Sequence, residues 1–439
     1  MAHLLAAALL HPSFVPPSQP PARDPLKPAE RAIATAVDRR TADAIALLER
    51  LVNINSGTMN FAGVRQVGAV LRARLDSLGF KTQWVDGAPF GRAGHLVAEH
   101  AASGPKLLLV GHLDTVFEPT SPFQKMERLS DSTARGPGII DMKGGDVIMI
   151  LALEALRDAG LLKQLNVTIV MNGDEENAGD PTEVARKTLL DAAKGASAAI
   201  GFEDGAGILS TGIIARRGAA SWILDVKGEA AHSSQIFKDS IGFGAIFETA
   251  RILEAFRTRL SKEAYLTFNP GVAVGGARVS LDDQSSKGTA EGKTNIVAER
   301  MTVQGDLRTL SPEQLARTKV TMKEIVGAHL GHTTATITFD DGYPPISPTD
   351  GNKRLLALHD QASRDLGLGP VNPVDPSKAG AADVSFVAGI VPMIIDGVGL
   401  AGHDDHSPQE TADLKSLSVR AKRAALTMYR LSLMKPLVP

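Results

Sequence analysis

Residues 106–115 read KLLLVGHLDT, an uninterrupted apolar run that leads directly into a glycine, a histidine and an aspartate. A short continuous apolar run of this kind is typical of a strand that is buried on both faces of a sheet. Apolar runs at 166–171 and 198–202 also lead into acidic residues, and stretches with helical spacing at 143–159 and 182–193 lie between the runs. Strands that alternate with helices predict an α/β fold, in which a mixed sheet is flanked by helices.

The middle of the chain has a different pattern, in which the elements follow the order β-α-β-β-α-β. Strand-like runs lie at 221–226, 272–279, 296–307 and 334–339, and helical stretches lie at 243–260 and 312–330. This order is the split βαβ, or ferredoxin-like, arrangement, which can form a compact α+β domain. We therefore expect an inserted domain at 217–343 within a larger α/β domain that comprises 29–216 and 344–439.

The first 28 residues combine an apolar run, Leu4 to Leu10, with a proline-rich stretch that reaches Pro28. Either a secretory signal or a disordered tail has this composition, although no Lys or Arg precedes the run. A signal would place the protein in the periplasm or outside the cell, whereas a tail would leave it in the cytoplasm. The first clear helical spacing after this segment lies at 41–53.

The composition excludes several classes of function. The 439 residues include 47 Lys and Arg against 49 Asp and Glu, so there is no basic excess of the kind that nucleic-acid binding requires. Cysteine is absent, which excludes thiolate metal sites, disulfides and a cysteine nucleophile. No apolar run approaches the ~20 residues that span a membrane. We therefore expect neither a nucleic-acid partner nor a membrane partner.

Five clusters of polar residues in the α/β portion follow strands or glycine-rich turns. They are His112 with Asp114, Asp141 in a glycine-rich loop, Asp174 to Glu176, Glu203 with Asp204, and the loop from Gly402 to Glu410. Each cluster alone could be a solvated loop or a turn. Open α/β sheets bind ligands at the carboxyl ends of their strands, and histidine with carboxylates suits a hard-to-borderline metal ion. Together, the clusters favour a metal site.

The sequence contains no complete motif for nucleotide binding or for a serine hydrolase. Residues 397–402 match G-x-G-x-x-G, but no helix follows to hold a pyrophosphate. The glycine-rich loop at 135–145 lacks the Gly-Lys-Ser/Thr of a phosphate-binding loop, and no Gly-x-Ser-x-Gly elbow of a serine hydrolase is present. These motifs therefore provide no support for nucleotide binding or for a serine nucleophile.

The five clusters, taken in chain order, resemble a known family. This is the dinuclear zinc metallopeptidase family of glutamate carboxypeptidase, acetylornithine deacetylase, succinyl-diaminopimelate desuccinylase and aminoacylase. The motifs that carry the resemblance are Gly111-His112-Leu113-Asp114, Gly138-Ile139-Ile140-Asp141-Met142-Lys143-Gly144, Asp174-Glu175-Glu176, Phe202-Glu203 and His406-Ser407-Pro408-Gln409-Glu410. They span nearly the whole chain and lie closest to the glutamate carboxypeptidase branch. The resemblance implies a zinc-exopeptidase-like α/β fold, in which the inserted domain acts as a lid and a dimerisation domain.

The resemblance also implies two Zn²⁺ ions per chain, with Co²⁺ or Mn²⁺ as alternatives. The implied ligands are His112, Asp141, Glu176, Glu203 and His406. Asp141 would bridge the ions, His112 and Glu203 would complete one site, and Glu176 and His406 would complete the other. Asp204 could replace Glu203, and His403 could replace His406, but the motif order favours Glu203 and His406. A cis peptide is expected between Asp141 and Met142.

The remaining implied roles concern catalysis and substrate binding. Glu175 would act as the general base, and Asp114 would hold the His112 ring in the tautomer that binds metal. His232 would approach the active site of a second subunit and stabilise the oxyanion there. Asn295 and Arg308 match positions that contact substrate.

The implied function is hydrolysis of an amide bond next to a free carboxylate. A carboxypeptidase that releases a C-terminal amino acid such as glutamate fits best, and the substrate would be a small molecule or a short peptide. An N-acyl-amino-acid amidohydrolase or a dipeptidase is the alternative. A catalytically silent homologue that binds carboxylates represents a different class. The resemblance further predicts a homodimer formed through the lid domain.

Overall fold

The computed structural model describes residues 25–282 and 286–435, so most of the predicted signal or tail at 1–28 lies outside the described residues. The helices are α1 (Pro28–Val52), α2 (Phe61–Ser77), α3 (Gly144–Asp158), α4 (Thr182–Ala185), α5 (Lys187–Ala193), α6 (Gly244–Leu260), α7 (Pro312–Gly327), α8 (Asp350–Asp365) and α9 (Lys415–Ser432). Across these described ranges, no helix combines the length and the apolarity that a membrane crossing requires.

The strands of the same residues form one large sheet and several smaller sheets. They are β1 (Lys81–Asp86), β2 (Gly94–His100), β3 (Lys106–His112), β4 (Glu127–Arg128), β5 (Thr133–Arg135), β6 (Asn166–Asn172), β7 (Ala198–Gly201), β8 (Thr211–Gly212), β9 (Ala219–Gly228), β10 (Thr267–Gly276), β11 (Arg278–Asp282), β12 (Lys287–Glu291), β13 (Arg300–Arg308), β14 (Thr333–Tyr343), β15 (Asn372–Pro373), β16 (Ile394–Ile395), β17 (Gly402–His403) and β18 (Thr411–Asp413).

The large sheet has six strands in the order β1-β2-β6-β3-β7-β16. The pairs β1/β2 and β2/β6 are antiparallel, whereas β6, β3, β7 and β16 run parallel to their neighbours. Leu107 and Leu109 of β3 join a core that includes α1, α3 and α9, while Leu108 and Val110 join a core that includes α5. Both faces of β3 are therefore buried, which explains its continuous apolar run. The predicted α/β class with a mixed sheet is confirmed.

The chain between β8 and α8 forms a second sheet with its own core. Its four strands have the order β10-β13-β9-β14, and each pairs antiparallel with its neighbours. This is the strand order of a split βαβ unit, and we call the segment from β9 to β14 the inserted unit. Trp222 and Phe256 meet edge to face at the centre of its core, with ring centroids 5.9 Å apart. The hairpin of β11 and β12 is an addition that the sequence pattern did not indicate.

Two elements of the α/β portion differ from expectation. The first helix begins at Pro28 rather than near residue 41, because Glu30 accepts a hydrogen bond from the Lys27 backbone N–H at 2.8 Å and caps the helix there. The apolar run at 391–396 predicts a strand, but only Ile394 and Ile395 form one, as β16, and the rest of that run is loop and turn.

Candidate metal centre

The predicted ligands are brought to one edge of the large sheet by its parallel strands. His112 is the last residue of β3, Glu176 lies four residues after β6, and Glu203 lies two residues after β7. Because β6, β3 and β7 are adjacent and parallel, their carboxyl ends meet at that edge. Asp141 comes from the turn before α3, and His406 comes from the loop between β17 and β18. The structure therefore gathers residues that are far apart in sequence.

Asp141 lies between two histidines and presents a different oxygen to each. The Nε2 atom of His112 lies 3.0 Å from Asp141 Oδ1 and 3.5 Å from Glu203 Oε1. The Nε2 atom of His406 lies 2.8 Å from Asp141 Oδ2 and 3.2 Å from Glu176 Oε2. Two ligand atoms that share a tetrahedral zinc ion at about 2.1 Å lie roughly 3.4 Å apart. The spacing on both sides of Asp141 therefore fits a divalent cation.

The electrostatics of the cluster also fit bound cations. Burial, opposed mainly by His112, raises the pKa of Glu203 well above its usual range. Burial and the charge of Asp141 raise the pKa of Glu176 to about 7, and the buried Glu176 Oε1 has no hydrogen-bond partner among the described residues. Hydrogen bonds to Asp141 and Glu176 raise the pKa of His406 to about 11. Carboxylates forced together in this way require positive charge, which divalent ions would supply.

Asp114 orients His112 from the side opposite to the cluster. The Nδ1 atom of His112 lies 3.1 Å from the Asp114 backbone oxygen and 3.4 Å from its Oδ1. A proton on Nδ1 would satisfy these contacts and would leave the Nε2 lone pair for a cation on the Asp141 side. The Asp114 carboxylate also accepts the backbone N–H groups of Glu175 and Glu176, at 3.0 and 3.1 Å, and the Thr58 hydroxyl at 2.7 Å. The sequence did not indicate that Asp114 also holds the turn that carries Glu175 and Glu176.

The loop that carries Asp141 is held by Glu410. The Glu410 carboxylate accepts backbone N–H groups from Gly138 at 2.9 Å, Ile140 at 2.8 Å and Asp141 at 3.2 Å. Gly138 has φ 67°, and a Cβ there would lie 2.3 Å from the Thr115 side chain, so the position requires glycine. The Asp141–Met142 peptide bond is cis, as the family resemblance predicted.

Glu175 follows the same strand as Glu176 and is the predicted base. Burial, partly offset by His112, raises the pKa of Glu175 well above its usual range, and the charges of Asp383 and Glu176 raise it further. A carboxyl group whose pKa is raised binds a proton more readily than an exposed carboxyl group does, which favours accepting a proton from water. The electrostatic environment therefore suits proton transfer.

Asp204 and His403, the alternatives to Glu203 and His406, lie near the proposed ligands on the wall of one cavity. A cavity of about 380 Å³ is lined by Asp141, Glu203 and His406, and Asp204 and His403 lie on its wall. His403 is exposed, and its Nδ1 atom lies 2.7 Å from Asp404 Oδ2. Asp405, which the sequence reasoning did not consider, offers an oxygen that lies within 4.8 Å of ligand atoms of Asp141 and His406. The position of Asp405 next to His406 in the chain could have indicated it as a candidate metal ligand.

Among the described residues of one chain, the three predicted residues of the inserted unit form no hydrogen bond or ion pair with this cluster. His232 is exposed, with Nδ1 2.9 Å from the Ser234 hydroxyl. Asn295 lies beside it, because its backbone oxygen accepts the Ser233 N–H at 2.9 Å. Arg308 lies at the end of β13, with Nε 3.1 Å from Asp306 Oδ2. His232 and Asn295 therefore share one surface of the inserted unit.

Comparisons with known proteins identify the family of the chain. Residues 108–430 match the sequence model of Peptidase family M20/M25/M40. Carboxypeptidase G2 of a Pseudomonas species is 26% identical over 397 residues, which cover 89% of this chain and 89% of that protein.

Solved structures show the same fold at lower identity. The crystal structure of aminopeptidase PepT from Bacillus cereus has a TM-score of 0.69 and 19% identity, and the match covers 89% of this chain and 98% of that one. The Bacillus subtilis YXEP protein, described as a dinuclear metal binding peptidase, has a TM-score of 0.61 and 15% identity, with coverage of 90% and 99%. The family match spans most of the chain and confirms the resemblance drawn from the motifs. The protein thus belongs to Peptidase family M20/M25/M40 and is a metallopeptidase-type hydrolase.

Proposed function

We propose that the protein is a zinc-dependent carboxypeptidase, which hydrolyses the amide bond next to a free C-terminal carboxylate and releases an amino acid such as glutamate. The observation that carries the proposal is the position of Asp141, whose two oxygens face His112 and His406 on opposite sides. Similarity to a carboxypeptidase over 89% of the chain supports the choice of substrate class.

The residues that would hold two cations form two sets that share Asp141. His112 and Glu203 complete the first set, and Glu176 and His406 complete the second. Imidazole with carboxylate, in a chain without cysteine, suits Zn²⁺ and also accommodates Co²⁺ or Mn²⁺. When bound, such cations polarise the scissile carbonyl and lower the pKa of the attacking water.

Glu175 would carry the proton during hydrolysis. It takes one proton from the attacking water and delivers it to the nitrogen of the leaving amine, so that the amide yields an acid and an amine. The backbone N–H of Glu175 donates to the Asp114 carboxylate, which also faces His112, so the turn that carries the base is held beside that ring. Asn295 and Arg308 would contact the substrate, and His232 from a second copy would stabilise the oxyanion, because an oriented donor at that oxygen favours the transition state.

A substitution of the base tests the chemistry. In Glu175→Gln the amide group cannot accept the proton, so we expect kcat to fall by about 10³-fold. The metal content should stay at about two ions per chain, since the side chain of Glu175 is not among the proposed ligands. Glu183→Gln on exposed α4 is the matched control and should retain full activity. Unchanged turnover in Glu175→Gln would refute the assignment.

A substrate panel tests the specificity. Peptides that end in glutamate, the same peptides with an amidated C-terminus, N-acyl amino acids and dipeptides should be assayed with added zinc and with a chelator. We expect hydrolysis of the free acids and little hydrolysis of the amides. Preference for N-acyl amino acids or dipeptides would favour the amidohydrolase or dipeptidase alternative, and no turnover by the zinc-loaded protein would favour the silent homologue.

We also propose that two copies associate through the inserted unit. Phe237, Phe243 and Phe247 form a cluster of rings with centroids 5.7 and 5.5 Å apart, and the first and third are at least half exposed. Exposed apolar clusters are common at protein interfaces. The adjoining cavity is also lined by Ser233 and Thr294, the neighbours of His232 and Asn295.

A further inference from the structure

A buried arginine lies behind the turn that carries the proposed base. Arg186, between α4 and α5, is fully buried, and its Nη1 lies 2.7 Å from Asp174 Oδ1. Its Nη2 donates to the Asp174 backbone oxygen at 3.1 Å, and its Nε lies 2.8 Å from Asp383 Oδ1. Two carboxylates thus balance the guanidinium charge, as a buried cation requires. The start of the acidic turn is therefore fixed to the body of the α/β unit.

Tyr343 of the inserted unit joins this arrangement through its hydroxyl. The hydroxyl accepts a hydrogen bond from Arg186 Nη2 at 2.9 Å and donates one to the Glu175 backbone oxygen at 2.8 Å. Its ring packs edge to face on Phe386, with centroids 5.0 Å apart. Burial, followed by the charge of Asp383, raises the pKa of Tyr343 above its usual value, so the hydroxyl remains a donor. The hydroxyl therefore both accepts and donates a hydrogen bond in a partly buried position.

Tyr343 is also part of the sheet of the inserted unit. It is the last residue of β14 and pairs with Ala219 at the start of β9, beyond a register shift after Asp340. The chain enters the inserted unit at one of these residues and leaves it at the other. Tyr343 therefore belongs to the sheet of the inserted unit through its backbone and contacts the α/β unit through its hydroxyl.

Glu175 is consequently held at both ends of its backbone. Asp114, which also orients His112, accepts its N–H, and Tyr343 donates to its carbonyl. We propose that Tyr343 is a positioning residue for Glu175, through which the inserted unit sets the orientation of the base relative to the metal ligands. This inference rests on the proposed role of Glu175.

Tyr343→Phe tests the proposal, because it removes one oxygen and keeps the ring that packs on Phe386. We expect kcat to fall about tenfold, since one oriented hydrogen bond to the base turn is lost. KM should stay within about twofold, because substrate binding is not affected. Metal content should equal that of the parent protein. The chain has two other tyrosines, and Tyr265→Phe and Tyr429→Phe are the matched controls, which should leave kcat unchanged.

A double variant separates positioning from a general structural role. If Tyr343 acts through Glu175, then Tyr343→Phe should cause no further loss in a Glu175→Gln background, because the base it positions is already absent. A multiplicative loss in the double variant would overturn the proposal. Unchanged kcat in Tyr343→Phe, or a loss of kcat that is accompanied by loss of metal, would also overturn it. Full activity of Glu175→Gln would instead overturn the proposed function, so the two failures are distinguishable.

Discussion

At the scale of single residues, Asp114 connects the first proposed metal site with the base. Its backbone oxygen and carboxylate face His112 Nδ1, and its carboxylate accepts the N–H groups of both Glu175 and Glu176. Burial opposes its charge, but bonds to His112 and Thr58 prevail and lower the pKa of Asp114. It therefore stays ionised and serves as an acceptor for two loops at once.

Asp114→Asn should weaken metal binding and slow turnover together. The amide retains one acceptor oxygen, so either the His112 tautomer or the acidic turn loses its partner. Outer-sphere partners of this kind typically contribute about 10- to 100-fold to metal affinity. Competition with a chromophoric chelator measures the affinity, and Asp43→Asn at an exposed position of α1 serves as the control. Equal affinity in both variants would contradict this role.

The sequence indicated the cluster of proposed ligands because each of them lies in a short motif that follows a strand or a glycine-rich turn, or lies in the loop from Gly402 to Glu410. It did not identify Arg186, Tyr343 or Asp405. Tyr343 lies 168 residues from Glu175 along the chain, and nothing in its local sequence indicates the contact. A sequence motif indicates functional residues that are close together in the chain. Contacts between residues that are far apart in the chain can be recognised only in the folded structure.

At the scale of elements, the loop before α3 depends on the segment before β18. Glu410 accepts three N–H groups from residues 138–141, across more than 260 positions of sequence. Lys143, which is also buried, donates to the Ile54 backbone oxygen at 3.0 Å and ties the loop to the end of α1. Contacts with two other segments, the one before β18 and the end of α1, therefore help to fix the position of Asp141.

Glu410→Gln should reduce both stability and metal affinity. The glutamine NH₂ group would face backbone donors, and unpaired buried donors destabilise a fold, so we expect the free energy of unfolding to fall by about 2–4 kcal/mol. Chemical denaturation of the metal-free protein measures this loss. Glu299→Gln at an exposed site is the control, and an equal stability of the two variants would show that Glu410 does not hold the loop.

The packing of α8 against α9 contains a histidine that should respond to acid. The Thr427 hydroxyl donates to the Arg423 backbone oxygen, so its oxygen accepts from His359 Nδ1 at 2.9 Å. His359 Nε2 is left without a partner among the described residues. Burial and the nearby charges of Arg420 and Arg423 lower the pKa of His359 to about 3.

The direction of the pH effect follows from this lowered pKa. The unfolded chain binds a proton at this residue below pH ~6.5, whereas the folded chain does so only near pH 3. The stability that neutral His359 contributes is complete above pH ~6.5 and is lost on acidification, by about 1.4 kcal/mol per pH unit. His359→Asn should flatten this dependence in denaturant titrations of the metal-free protein between pH 6 and 4. His332→Asn is the exposed control, and parallel slopes for parent and His359→Asn would refute the assignment.

Element boundaries show where sequence periodicity reaches its limit. Helix α6 begins within a residue of its predicted start, because its apolar spacing is regular. In contrast, α1 begins 13 residues before the predicted start, since its first turns bury small side chains such as Ala36 that give a weak pattern. Helix α8 was not predicted at all, because its buried face includes Gly351, Asn352 and His359 beside two leucines.

At the scale of the whole molecule, the exposed aromatic cluster of the inserted unit predicts association. Phe247→Glu places a charge in the cluster of Phe237 and Phe243, so we expect a dimer of the parent protein to dissociate in sedimentation or light-scattering measurements. If His232 of one copy stabilises the oxyanion in the active site of the other copy, hydrolytic activity should decrease as the dimer dissociates. Glu254→Gln on the same helix is the control. A parent protein that is monomeric at all concentrations would contradict the proposal.

The contact of Glu410 with the Asp141 loop has a consequence for biosynthesis. The ribosome makes the chain from its N-terminus, so His112, Asp141 and Glu176 emerge long before His406 and Glu410 are translated. Until the last segment arrives, the Asp141 loop lacks the Glu410 carboxylate, and the second proposed set of ligands lacks His406. A prematurely terminated product that lacks the final 40 residues should therefore emerge as an inert protein.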